Sequence, residues 1–223
     1  MTILSANHWS TNADLILDVV SLGYIQYNDN VIDLTFGRGK WWAKYKPRFL
    51  TALTDRSEDY TNEFTDGEFN VIHDTDYTNL VGFEDNTYDV TAYDPPYICM
   101  GGRDTSTMPD FADRYGLVHA PRTPRGVHEY NVRGLREAVR ITKPEGILLV
   151  KCAPYIYSGR RQEGDVWMRN DAVQMGLEVE EMFIHIGKLR AQPSGRRQLH
   201  ARNNYSVLYV FRKGKNPAKN GIL

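Results

Sequence analysis

Apolar residues recur in runs of strand length at 30–36 ("NVIDLTF"), 48–55 ("RFLTALTD"), 69–74 ("FNVIHD"), 88–94 ("YDVTAYD"), 146–152 ("GILLVKC"), 177–186 ("LEVEEMFIHI") and 204–211 ("NYSVLYVF"). Each is short, bounded by polar or turn-forming residues and rich in β-branched or aromatic side chains, which predicts a strand. Other stretches carry helical spacing: 13–22, 165–175, and 127–142, where Val132, Leu135 and Val139 fall on one side. Strands alternating with helices predict an α/β domain, a mostly parallel seven-stranded sheet with helices on both faces. The last two runs are joined by "GKLRAQPSGRRQLHARN" without a helix, so they are expected to pair antiparallel at the sheet edge. One segment breaks the rhythm. Residues 99–128 are rich in Gly, Pro and polar side chains, and so long a connection inside one domain predicts a functional, mobile loop.

Length and composition narrow the class. The chain of 223 residues fits one domain spanning 1–223, with a frayed tail over 214–223. No apolar run approaches the roughly 20 residues of a membrane span, and "MTILSANHWSTN" lacks the layout of a signal peptide, so a cytoplasmic protein without a membrane partner is expected. Cys99 and Cys152 are too few for a disulfide scaffold, and the six scattered histidines lack ligand spacing, so no metal site is expected. The net charge of −1 hides an asymmetry: residues 1–98 hold 6 Lys/Arg against 16 Asp/Glu, whereas 99–223 hold 21 against 12. The C-terminal part is the candidate for meeting a polyanion.

Candidate chemistry lies at the carboxyl ends of the strands, where open α/β sheets bind their ligands. The first strand carries Asp33 and runs into Gly37 and Gly39, whose missing side chains allow backbone to approach a ligand. The second ends in Asp55, about 20 residues further on, the separation of a ribose-binding acid in nucleotide folds. The third ends in "HDTDY", with Asp74 and Asp76. Acids at successive strand ends predict an adenosine-containing cofactor. The fourth ends in Asp94, Pro95, Pro96 and Tyr97. Two prolines fix the backbone and remove two N–H donors, which presents the Asp94 carboxylate and the Pro95 carbonyl as a rigid acceptor pair for an amino group. Tyr97 adds a flat ring for base stacking. Taken alone, the tetrapeptide is equally consistent with a proline-stiffened turn.

The glycine loop followed by "DPPY" resembles the paired motifs of the amino-methylating DNA methyltransferases, the bacterial and phage enzymes of the S-adenosylmethionine-dependent class I superfamily. The strings "GGRDTST", "RYGL", "GILLVKC", "SGRRQ" and "RRQLHARNNYSVLYVFRK" are also similar to strings seen in such enzymes. The resemblance implies a Rossmann-like class I methyltransferase fold, S-adenosyl-L-methionine as cofactor, and double-stranded DNA as partner. It assigns Asp33, Thr35, Gly37 and Gly39 to the methionine half of the cofactor, with Thr35 in place of the usual Phe. Asp55 would meet the ribose, Asp74 the adenine, and Asp94 through Tyr97 the target amine. "HWSTNADLI" is similar to the segment near the cofactor carboxylate, with Ala13-Asp14 where Lys-Pro is usual, which assigns Thr11 there. Adenine N6 is favoured over cytosine N4 because the tetrapeptide begins with Asp and not Ser. Arg103, Arg114, Arg122 and Arg125 in the long loop, and Arg190, Arg196, Arg197 and Arg202 in the link over 188–203, are the expected phosphate partners. The alternatives are an RNA guanine-N2 or adenine-N6 methyltransferase and a non-catalytic nucleic-acid-binding module. Trp41 and Trp42 are expected to open a helix after the glycine loop.

Overall fold

In the computed structural model, which describes residues 9–54, 69–97, 121, 123–187, 201 and 203–215, the first described element is helix α1 (Asn12–Ser21). Thr11 starts it with a capping box. Its hydroxyl accepts the Asp14 N–H while the Asp14 carboxylate accepts the Thr11 N–H, satisfying amides that the first turn leaves without partners. Leu15, Ile16 and Val19 are buried, and Gly23 ends the helix at φ 85°, where the Gly23 and Tyr24 amides fold back to the Val20 and Val19 carbonyls.

The strands are β1 (Asn30–Asp33), β2 (Phe49–Leu53), β3 (Asn70–Ile72), β4 (Tyr88–Tyr93), β5 (Thr142–Cys152), β6 (Tyr155–Tyr157), β7 (Arg160–Gln162), β8 (Leu177–Ile186) and β9 (Tyr205–Lys213). Seven form one sheet in the order β3-β2-β1-β4-β5-β9-β8. Every pairing through β5 is parallel, and β9 runs antiparallel to both β5 and β8. The expected sheet is therefore present, with antiparallel pairing at its edge. The reversed strand itself is β9, one place in from the edge strand β8. Strand β9 fills the place between β5 and β8, pairing antiparallel with each. Strand order reverses between β1 and β4, the switch point at which such sheets bind ligands.

Alternate residues separate two cores. Leu148, Val150, Tyr93, Tyr209 and Phe211 pack on one face with Leu135, Ala138 and Ile141 of α2 (Pro124–Ile141) and with Met168 and Ala172 of α3 (Gly164–Gln174). Leu149, Val90, Ala92, Leu208 and Val210 pack on the other with α1, Trp41 and Trp42. Helices thus cover both faces, as strands buried on both sides require.

Three local features depart from expectation. Helix α2 begins at Pro124, so residues 124–128 belong to it and not to the loop: Thr123 accepts the Gly126 N–H (3.1 Å) as N-cap, and Pro124 occupies the first turn, where its missing N–H costs nothing. The tryptophans sit in a three-residue 3-10 helix (Lys40–Trp42) and open no longer helix. Gly39, left-handed at the cap position, offers no side-chain cap, while Trp42 is fully buried and anchors the segment directly. Finally, β6 and β7 form a hairpin through Ser158 (φ 46°) and Gly159 (φ 74°), the backbone of a two-residue turn whose twist suits a hairpin.

The end of β9 is fastened by Lys213, which is 3% exposed and donates to Asn86 Oδ1 (2.8 Å) and to the Val139 and Thr142 carbonyls (both 2.6 Å). Its ammonium completes the C-terminus of α2, where orphan carbonyls gather.

Candidate active site

The carboxyl ends of β1, β4 and β5 converge. Asp33 closes β1 and is 4% exposed; its Oδ1 accepts the Thr35 N–H (2.9 Å) and its Oδ2 accepts the Trp42 indole N–H (2.8 Å). Both bonds shape the loop: one turns the chain after β1 and the other brings Trp42 back beneath it. Burial pushes the Asp33 carboxyl up to about 7; the Trp42 and Thr35 donors act against that, and the like charge of Asp94 adds to it. Gly37 (φ 55°) and Gly39 (φ 61°) hold left-handed backbone that L side chains rarely adopt. They differ in surroundings. A Cβ at Gly39 would lie 2.7 Å from the Phe36 ring, so that glycine makes room for the protein's own side chain. At Gly37 the nearest atom among the described residues would be the Thr35 carbonyl oxygen at 3.7 Å, an ordinary contact.

Thr35 joins this loop to the tetrapeptide, because the Asp94 N–H donates to Thr35 Oγ1 (2.7 Å). A phenylalanine, usual here in the family resembled, has no acceptor to offer. From the other side Asn131 of α2 donates its Nδ2–H to the Pro96 carbonyl (2.9 Å), and its own carbonyl accepts the Tyr93 hydroxyl (2.8 Å). This close approach of α2 depends on Gly134, where a Cβ would stand 2.3 Å from the Tyr93 hydroxyl and 2.6 Å from the Tyr77 ring. Pro95 and Tyr97 line a narrow cavity with Asn131, Cys152, Tyr155 and Trp167; Asn131 Oδ1 is buried without a partner among the described residues. Lys151 of β5, 6% exposed, sets its Nζ 3.4 Å from Asp94 Oδ2.

The remaining assigned residues are distributed as follows. Thr11 is committed to capping, its hydroxyl donating to Asp14 Oδ2 (2.7 Å), and Asp14 is in turn paired with Lys44. Asp74 follows β3 at φ 52° with an exposed side chain, while the Asp76 carboxylate accepts the Thr78 N–H and hydroxyl (both 2.8 Å) and closes a local turn. Arg125 lies exposed on the first turn of α2 and pairs with Glu129 (2.7 Å). Asp55, Arg103, Arg114, Arg122, Arg190, Arg196, Arg197 and Arg202 lie outside the described residues, as does Cys99. Cys152 is a buried free thiol, and burial pushes it well above the usual cysteine range.

Two residues at this site escaped sequence reasoning. Lys151 carried a signal, a charged side chain inside "GILLVKC" at a position that the strand's alternation turns inward. Asn131 carried another: it falls four residues after Val127 and four before Leu135 on the buried side of its helix.

No protein-family model matches the chain, and no curated protein matches it. Solved structures do. A candidate methyltransferase from Bacillus halodurans is 14% identical, over 89% of this chain and 98% of that one, with a TM-score of 0.56. A SAM-dependent methyltransferase from Methanosarcina mazei is 13% identical, over 87% and 97%, at 0.51. The cyclase SpnF is 12% identical, over 90% and 80%, at 0.52. At such identities the likeness establishes the fold, the Rossmann-like fold of the class I methyltransferases, and the cyclase shows that the fold alone does not fix a reaction.

Proposed function

Taking that fold as premise, we propose that the protein methylates the exocyclic amino group of a base flipped out of double-stranded DNA, adenine N6 in preference to cytosine N4, with S-adenosylmethionine as methyl donor. One observation carries this: the turn Asp94–Tyr97 ends the central strand β4 at the switch point and is bonded through Thr35 to the glycine loop of β1. Acceptors for an amine and a loop suited to a cofactor are thereby neighbours.

The residues present fit that cofactor. Asp33 is a buried carboxylate whose partners among the described residues are the neutral donors of Thr35 and Trp42, so a cation brought beside it would draw it into its charged form. Gly37 holds the left-handed backbone of the loop, and a Cβ there would make only an ordinary contact with the Thr35 carbonyl oxygen among the described residues. When bound, the cofactor supplies an electrophilic methyl: the amine lone pair forms the N–C bond as the S–C bond breaks and its electron pair stays on sulfur. Asp94 and the Pro95 carbonyl accept the two amine N–H groups and so aim the nitrogen lone pair, and Asp94 takes the surplus proton before it passes to solvent. Tyr97 offers a stacking face worth about 1–3 kcal/mol per base, against a flipping cost of the same order. Asn131 keeps the turn rigid by holding the Pro96 carbonyl. Catalysis is then positioning and electrostatics, without a covalent nucleophile.

The test is transfer of labelled methyl from S-adenosylmethionine into plasmid DNA and, separately, into RNA, followed by nucleoside mass spectrometry. N6-methyladenine in DNA is expected, and Asp94→Ala should abolish transfer while binding of S-adenosylhomocysteine stays within a few-fold. Label in RNA alone would overturn the DNA assignment. Calorimetry showing no cofactor binding would leave a nucleic-acid-binding module.

A further inference from the structure

Lys151 has no role in the mechanism above, yet its setting is unusual. It is the penultimate residue of β5, where the preceding Leu148, Leu149 and Val150 are fully buried, and only 6% of it is exposed. An ammonium withdrawn from water is costly by several kcal/mol unless a counter-charge faces it. The counter-charge is Asp94, at 3.4 Å, and the strand register makes the pairing obligatory: Tyr93 pairs with Val150, so the next residues, Asp94 and Lys151, stand level on the same side of the sheet.

Asp94 also has an acidic neighbour. The like charge of Asp94 adds, after burial, to the upward shift of the Asp33 carboxyl. Other titratable groups that feel these charges are His185 of β8, acted on by Lys151, Asp94 and Asp14, and the buried Cys152 thiol, acted on by Asp165, Asp94 and Lys151; Asp14 is itself engaged by Lys44.

We propose that Lys151 is a positioning residue that, as the buried counter-charge facing Asp94, holds the Asp94 carboxylate in place as an acceptor for the substrate amine. The proposal rests on the assignment of Asp94 as that acceptor. The separation supports it: charge-assisted N–H···O bonds run about 2.7–2.9 Å, and a contact at 3.4 Å supplies charge while leaving the lone pairs of Asp94 available to substrate. In the transfer step Lys151 neither gains nor loses a proton. Asp94 accepts the proton released by the methylated nitrogen and returns it to solvent.

The wild-type protein, Lys151→Met and Lys151→Arg are compared in single-turnover methyl transfer into plasmid DNA from about pH 5.5 to 9.5, with S-adenosylhomocysteine affinity measured by calorimetry on the same preparations. Lys151→Met should be slower by about 10²-fold at neutral pH. Its acid limb should move to higher pH with partial recovery in alkali, and cofactor affinity should stay within about threefold. Lys151→Arg should keep the wild-type acid limb at an intermediate rate. Several results would overturn the proposal: a Met variant with the wild-type rate, a slow one with an unmoved acid limb, or loss of cofactor affinity in parallel with rate, which would make Lys151 a cofactor contact. A wild-type protein that binds cofactor and methylates neither DNA nor RNA overturns the underlying assignment, an outcome distinct from the other three.

Discussion

At the scale of single residues, the polar atoms at the site are mostly spoken for, and the way they are engaged sets measurable behaviour. Asp33 is the clearest case. Its carboxyl is raised from 3.8 to about 7 in the folded protein, so between those values the fold retains a proton that the unfolded chain has lost. Stability should be fullest below about pH 4 as far as this group is concerned and should decline as pH rises toward 7, by a few kcal/mol at most. Urea midpoints at pH 5 and pH 8 would show the decline, and Asp33→Asn should flatten it. A cationic cofactor would act in the opposite sense, so its affinity should weaken as pH falls below about 7. Thr35→Val should leave the Asp94 N–H without its acceptor, lowering stability by roughly 1–3 kcal/mol and slowing transfer, whereas Thr35→Ser should restore both. Asp33, Gly37, Gly39 and Asp94 could be picked out from the sequence because strand ends and left-handed glycines leave a local signature. The partnership of Thr35 with Asp94 could not, since it joins residues 59 positions apart.

Elements were legible where periodicity was long. The apolar runs 88–94, 146–152 and 177–186 correspond closely to β4, to the second half of β5 and to β8, and the helical spacing over 13–22 to α1. The β6–β7 hairpin was not, because three-residue strands are too short to display a period and only Ser158-Gly159 marks the turn. The 3-10 helix after the glycine loop was missed for another reason. Trp41 and Trp42 look like the start of a helix, but burial of one large ring and its bond to Asp33 replace the hydrogen bonds a longer helix would supply. The packing of α2 on β4 has a testable consequence at Gly134. An Ala there would drive its methyl into the Tyr93 hydroxyl and the Tyr77 ring, and should cost about 1–3 kcal/mol in chemical denaturation while displacing Asn131 from the tetrapeptide. A stability equal to wild type would show that α2 can move away freely.

At the scale of the whole molecule, charge is divided between an acidic N-terminal part and a basic C-terminal part. If duplex DNA is the partner, affinity should fall steeply with salt, and replacing Arg196 and Arg197 together should weaken binding and flatten that slope by roughly two phosphate contacts. An unchanged slope in filter binding or anisotropy would move the contact elsewhere. This level was the least legible, because partners leave no periodic trace and the basic segments give only a net sign. The order of the sheet has a consequence in time. Strand β9, the last among the described residues, lies inside the sheet between β5 and β8 and is locked there by Lys213. During synthesis from the N-terminus, β5 and β8 must therefore wait with unpaired edges until residue 213 has left the ribosome, a window in which a nascent chain is exposed to edge-to-edge association.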